Sequence, residues 1–112
     1  MKRGDVVTVA AAGDYGKSRP AVIVQIDAFP AAHDSVVICQ MTSALSEAAD
    51  FRVTIVPGII NGLRVPSQVM ADKPTTVRRV RIGRTIGCLG GEDMGRLNTA
   101  LAFVMGLADQ RR

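Results

Sequence analysis

The sequence predicts a mainly β, α+β protein: one small, strongly curved antiparallel sheet closed by a single C-terminal α-helix. Short β-branched runs recur up to Leu89, each bounded by Gly, Pro, Asn or Asp. From Glu92 onward the apolar spacing becomes helical. The chain has 112 residues, 47% of them hydrophobic and 21% charged. That suffices for one domain, residues 1–112, with a core that needs no disulfide staples.

Asp5 to Ala10 is β-branched and flanked by polar and glycine residues, which predicts the first strand. Ala11 to Ser18 is small, polar and glycine-bearing, a surface loop presenting Asp14, Tyr15 and Lys17. Arg19-Pro20 opens a second strand running to Ile26, because proline is tolerated at a strand start or edge and not in its centre. Ser35 to Met41 and Phe51 to Val56 predict the third and fourth strands, and Asn61-Gly62 is a strong turn signal. Val65 to Ala71 and Arg84 to Leu89 predict the fifth and sixth. After Gly90-Gly91, apolar residues fall at Met94, Leu97, Leu101, Val104, Met105 and Ala108, one face of a helix. Glu92 and Asp93 stand where the helix dipole favours negative charge.

Composition narrows the function. No apolar run approaches the ~20 residues of a membrane span, and the basic start lacks the apolar region of a signal peptide. The expectation is a soluble, cytoplasmic protein without membrane partners. Cys39 and Cys88 form no CxxC pair and, in apolar surroundings, read as small buried hydrophobes. His33 is the sole histidine, in a loop context. GxGxxG, P-loop, HExxH and GxSxG patterns are absent, so nucleotide hydrolysis and metalloprotease chemistry lose their usual warrant.

Charge is distributed unevenly. Through Asp72 there are six Lys/Arg against seven Asp/Glu, and from Lys73 onward eight against three. Lys73, Arg78, Arg79, Arg81 and Arg84 form a stripe without an acid, suited to a polyanion or an acidic partner, or simply to solvent. Aromatic residues are 4%, too few for a base-stacking platform. Arg, Thr, Ser, Asp, Tyr and Lys at strand ends can nevertheless cleave RNA. The ribose 2′-hydroxyl is an internal nucleophile already held beside the phosphorus. The protein need only take its proton, stabilise the phosphorane and protonate the leaving 5′-oxygen. A guanidinium suits the second task through bidentate bonding to phosphate oxygens.

The ordered motifs resemble one family. Arg3-Gly4-Asp5-Val6-Val7 is similar to the opening strand of the MazF/PemK (Kid) growth-inhibiting toxins, and Arg19-Pro20-Ala21-Val22-Ile23-Val24 to their R-P-[AV]-[VL]-[VI]-[VIL] segment. Met41-Thr42-Ser43 resembles their strand-terminal T-[ST]. Phe51-Arg52-Val53, Asn61-Gly62-Leu63 and Ser67-Gln68-Val69 resemble F-x-V, G-L and [DE]-Q-[VI] in the same order. Ile86-Gly87-Cys88-Leu89 then leads into a Leu-rich helix ending at Leu107.

The resemblance implies a small SH3-like antiparallel β-barrel closed by the C-terminal helix. It further implies a homodimer that cuts single-stranded RNA without a metal or other cofactor and is neutralised by a cognate antitoxin. It assigns catalysis to Arg19, which would stabilise the phosphorane or act as acid. Thr42, with Ser43, would hydrogen-bond the scissile phosphate. Asp14, Tyr15, Lys17, Ser67, Gln68, Lys73, Arg78, Arg79 and Arg81 are candidate RNA-binding residues. Two departures stand out: Ser67 occupies the family's acidic position and Met70 a basic one, leaving Asp72 and Asp14 as candidate bases. Met70 to Gly83 and the helix end are also similar to CcdB, whose role as a non-enzymatic DNA gyrase inhibitor is the alternative reading. A non-enzymatic adaptor is the third.

Overall fold

The computed structural model describes residues 1–10, 17–28, 32–47 and 50–107. Six strands and one helix follow in chain order: β1 Asp5–Ala10, β2 Ser18–Ile23, β3 Ser35–Thr42, β4 Arg52–Ile55, β5 Ser67–Arg78, β6 Ile82–Cys88 and α1 Gly91–Val104. A 3-10 turn over Arg79–Arg81 joins β5 to β6. All ladders are antiparallel, and the strand order is β4-β5-β3-β2-β1-β6. The expected closed barrel is not what the hydrogen bonds make. Among the described residues no pairing joins β4 to β6, so the sheet is open and has two edges. Both of its faces nevertheless bury apolar side chains.

Strand alternation sorts the core into two clusters. Val6, Val22, Cys39, Met41, Val53, Ile55 and Val69 face α1, meeting Leu97, Ala100 and Leu101. Val7, Val9, Ala21, Ile23, Val36, Ile38 and Val77 form the second cluster on the other face. One face thus packs on the helix, and on the other Val77 of β5 and Ile82 of β6, paired in the ladders with Val36 and Val9, pack into the second cluster.

β2 ends at Ile23 and not Ile26, β5 begins at Ser67 and not Val65, and β6 begins at Ile82 and not Arg84; three further departures have identifiable reasons. β5 runs on past Ala71 to Arg78, through Pro74. Its register with β3 slips between Cys39 and Met41, and beyond Met70 no β4 residue pairs on its other side. Proline is tolerated in such a bulged, one-sided strand. β2 begins at Ser18 and holds Pro20 opposite Thr8, where the ladder to β3 has not yet begun. α1 stops at Val104 because Gly106 takes φ +73°. The Leu107 N–H then donates to the Ala102 carbonyl at 2.8 Å and the Gly106 N–H to Phe103 at 3.2 Å, a Schellman closure. Ala108 lies outside the described residues. Of the two cysteines expected to be buried, Cys39 is, but Cys88 is exposed on the edge strand β6.

Candidate active site

Register places the two residues assigned to catalysis. Ala21 pairs with Gln40 and Ile23 with Ile38. The β2–β3 ladder starts at Ala21, so Arg19, paired with Val9 of β1, and Thr42, paired with Gln68 of β5, lie beyond it at the same end of the sheet. Arg19 is exposed, and its guanidinium has no hydrogen-bond or ion-pair partner among the described residues. The Thr42 Oγ1 accepts the Ala44 N–H at 3.0 Å, a hydroxyl turn that leaves its own O–H free to donate. Ser43 follows, exposed. A guanidinium and two hydroxyls therefore meet solvent at one end of the sheet.

Gln68 holds that end together. It pairs with Thr42 across β3–β5 and with Thr54 across β4–β5. Only 4% exposed, its amide accepts the Ser46 N–H at 2.9 Å and donates to the Ser46 carbonyl at 2.7 Å and to Thr54 Oγ1 at 3.1 Å. Ser67 is equally buried, and its hydroxyl donates to the Val65 carbonyl at 3.0 Å. Both residues expected to touch RNA are thus spent inside the protein, fixing the segment that follows Thr42. Asp72, a candidate base, instead accepts the Arg52 Nε at 3.1 Å, with both side chains mostly covered.

The basic stripe is partly structural. Arg79 Nε donates to the His33 carbonyl at 2.8 Å, Arg81 Nε to Ala10 at 2.6 Å, and Arg78 stands 3.7 Å from Asp34 in an exposed pair. Arg81 lies at the Ala10–Ser18 end of the sheet, near Arg19. Arg78, opposite Ser35, is separated from Thr42 by the length of β3, about 23 Å at 3.3 Å per residue. Lys73 and Lys17 are exposed. Asp14 and Tyr15 lie outside the described residues. Among the described residues no three His, Cys, Asp or Glu gather as a metal site.

Sequence reasoning did not single out the loop from Pro57 to Pro66, which returns the chain from β4 to β5 over β6. Buried Asn61 organises it: Oδ1 accepts the Gly58 and Leu63 N–H groups, both at 3.0 Å, and Nδ2 donates to the Val56 carbonyl at 2.9 Å. The Cys88 N–H donates to the Ile60 carbonyl at 3.0 Å. Gly62, at φ +71°, lies so close that a Cβ would strike the Ile86 carbonyl. Between this loop and the β1–β2–β6 surface runs a groove of about 520 Å³ that contains Arg64 and Arg84. The Asn-Gly pair signalled a turn, but nothing in it signalled what the turn would face.

These features define a class: an open, coiled β-sheet with one helix, presenting an unpaired guanidinium and hydroxyls at a sheet end, the equipment for holding a phosphodiester. Residues 2–105 match the family described as PemK-like, MazF-like toxin of type II toxin-antitoxin system, and the chain belongs to that family. It is 40% identical over 109 residues to a probable endoribonuclease MazF of Mycolicibacterium smegmatis, covering 96% of this chain and 99% of the relative. A mycobacterial endoribonuclease solved in complex with its cognate antitoxin superimposes with a TM-score of 0.80 at 25% identity, over 97% of this chain and 98% of that one. Mycobacterium tuberculosis toxin MazF-mt6 shares the fold with a TM-score of 0.79 at 23% identity, over 94% and 99%. None of these relatives is a gyrase inhibitor by name, and the alternative reading gains no support from them.

Proposed function

We propose that this protein is an endoribonuclease, the toxin of a type II toxin–antitoxin pair, and that it cuts single-stranded RNA by attack of the ribose 2′-oxygen. The observation that supports the reading is the strand topology, which brings the unpaired Arg19 and Thr42 to the same end of the sheet in a chain of this family. The 2′-oxygen bonds to phosphorus as the bond to the 5′-oxygen breaks. The proton lost by the 2′-hydroxyl goes to a base, and the departing 5′-oxygen gains one. Products are a 2′,3′-cyclic phosphate and a 5′-hydroxyl. Arg19 stabilises the added charge of the phosphorane, since a fixed donor acts most strongly where charge develops. Thr42 donates its free O–H to a phosphate oxygen, with Ser43 beside it. Gln68 and Ser67 act as positioning residues behind them.

Lys17, Lys73, Arg78, Arg79 and Arg81, with Asp14 and Tyr15 of the preceding loop, are assigned to holding the strand on either side. An antitoxin is the expected protein partner, as in the mycobacterial complex, and a homodimer the expected assembly. No helix among the described residues is long and apolar enough to cross a membrane, and the expected location is the cytoplasm. The test is incubation of the purified protein with a long single-stranded RNA in EDTA. Discrete fragments with cyclic-phosphate and 5′-hydroxyl ends are expected. Intact RNA alongside stalled gyrase–DNA complexes would replace this reading with the gyrase one.

A further inference from the structure

The groove beneath the 57–66 loop is distinct from the Arg19–Thr42 end, yet it adjoins it at two points. Ser18, next to Arg19, and Val65, whose carbonyl accepts the Ser67 hydroxyl, both line it. Strand alternation turns Ser18 and Arg19 to opposite faces, so the groove continues round the sheet end and does not repeat the first site.

Its chemistry is one-sided. Arg64 and Arg84 both line it, and neither guanidinium has a hydrogen-bond or ion-pair partner among the described residues. The hydroxyls of Thr8, Ser18 and Thr85 join them, and no acidic side chain contributes to the lining. Two uncompensated cations sharing one concavity repel each other until an anion enters. The walls are built to keep them there. Thr8 Oγ1 accepts the Arg84 N–H at 3.1 Å, and Asn61 pins the loop that carries Arg64 through three hydrogen bonds. The groove's 520 Å³ is within the roughly 300–1,000 Å³ range of ligand sites. It offers no aromatic surface, so it suits a backbone phosphate better than a base.

We infer that Arg64 and Arg84 form a second phosphate-binding site, which holds the RNA backbone one or more nucleotides from the scissile bond. The inference rests on the endoribonuclease reading, which it deepens by naming where the strand leaves the catalytic end. The phosphate is held equally in ground and transition states, so the site acts on affinity and not on the chemical step. Sequence preference is not expected from it.

The probe is a fluorescein-labelled, fully 2′-O-methylated oligoribonucleotide, which has the phosphates of RNA but no 2′-hydroxyl to attack. The expected result for Arg64→Ala/Arg84→Ala is binding weakened on the order of tenfold for each arginine removed. The slope of log affinity against log salt should fall by about 0.7 for each phosphate that is no longer neutralised. Arg64→Lys/Arg84→Lys should keep most of that slope, because it keeps the charges. With cleavable RNA the alanine pair should raise KM and hold turnover at saturation. Wild-type affinity and slope in the alanine variant would overturn the site, as would abolished turnover with unchanged KM. Unchanged RNA binding with weakened binding of a polyglutamate peptide would give the groove to an acidic protein partner instead. A wild-type protein that binds the methylated probe through these arginines but never cuts RNA would overturn the endoribonuclease reading and leave the groove standing.

Discussion

Arg19 and Thr42 differ in what they can do for a phosphorane. The guanidinium is permanently charged and unpaired, whereas the threonine donates one neutral hydrogen bond and already accepts another from Ala44. Arg19→Ala is therefore expected to lower the cleavage rate by about 10²–10³ without loss of fold, since the side chain is solvent-exposed. Thr42→Ala should cost less, because charge-assisted bonds are about twice as strong as neutral ones. Rate measurements on both variants, with circular dichroism as the folding control, check the order. A reversed order would exchange the two roles. The cysteines make a second contrast. Burial pushes the Cys39 thiol up to about 11, with Arg3 pulling it back and Asp72 adding to the rise. Thiolates react and thiols do not. A maleimide or disulfide reagent at mild pH should modify exposed Cys88 in the native protein, and Cys39 only after unfolding. The raised folded value also fixes a sign. The Cys39 contribution to stability is complete below pH 9.0, the ordinary thiol value, and drains away as pH rises towards 11. Denaturant midpoints of wild type and Cys39→Ala should therefore diverge least in that alkaline window.

Among the elements, the 57–66 loop has the clearest consequences. Asn61→Ala removes the acceptor for two N–H groups and the donor to Val56, all within a loop seated on β6. An orphaned buried group costs about 1–3 kcal/mol, which a denaturant titration would resolve. Gly62→Ala should be at least as damaging, since its φ of +71° and the Ile86 carbonyl both exclude a side chain. A variant as stable as wild type would mean that the loop is not docked as described. The basic segment divides differently. Arg79 and Arg81 hold the carbonyls of His33 and Ala10, whereas Arg78 is exposed and only loosely paired. Arg78→Ala should therefore weaken RNA binding without moving Tm, while Arg79→Ala and Arg81→Ala should lower Tm as well. A thermal melt of each single variant, beside its RNA affinity, separates these uses of the same residue type.

At the scale of the molecule, the apolar surface left outside asks for a partner. Ile26 is 60% exposed, Met105 59% and Leu107 77%. They line a common apolar groove of about 390 Å³ between the end of α1 and the segment after β2. The expected two-fold dimer would cover such surface. Light scattering at micromolar concentration should return twice the 11.9 kDa chain mass, and a monomer mass would refute the dimer.

Much of this architecture could be read from residue order. β-Branched runs, Asn61-Gly62 and the period change at Glu92 located all six strands and the helix. What escaped depended on interactions between distant residues. β5 continues through Pro74 only because β4 ends beside Met70, and no local pattern records that. The helix stop at Gly106 was available locally but was masked by the apolar spacing of Met105 and Ala108. At the site, motifs single out Arg19 and Thr42, but their presence at one end of the sheet depends on the strand order. Gln68 and Ser67 read as surface polar residues, because sequence cannot distinguish a hydrogen bond to water from one to Ser46 or Val65.

The open sheet has two edges, and at each a ladder group is taken by something other than a strand. On β4, the Arg96 side chain reaches from α1 to the Thr54 carbonyl at 2.6 Å while also holding Asp93 at 2.8 Å. On β6, the Ile60 carbonyl takes the Cys88 N–H, and the loop leaves too little room at Gly87 for even a methyl group. Exposed ladder groups are templates on which further chains polymerise. By taking one ladder group at each edge with an arginine and a loop, the protein leaves less of either edge open to another copy. A chain whose expected neutraliser is a separate molecule must spend time without it, and these two contacts should limit edge pairing between its copies during that interval.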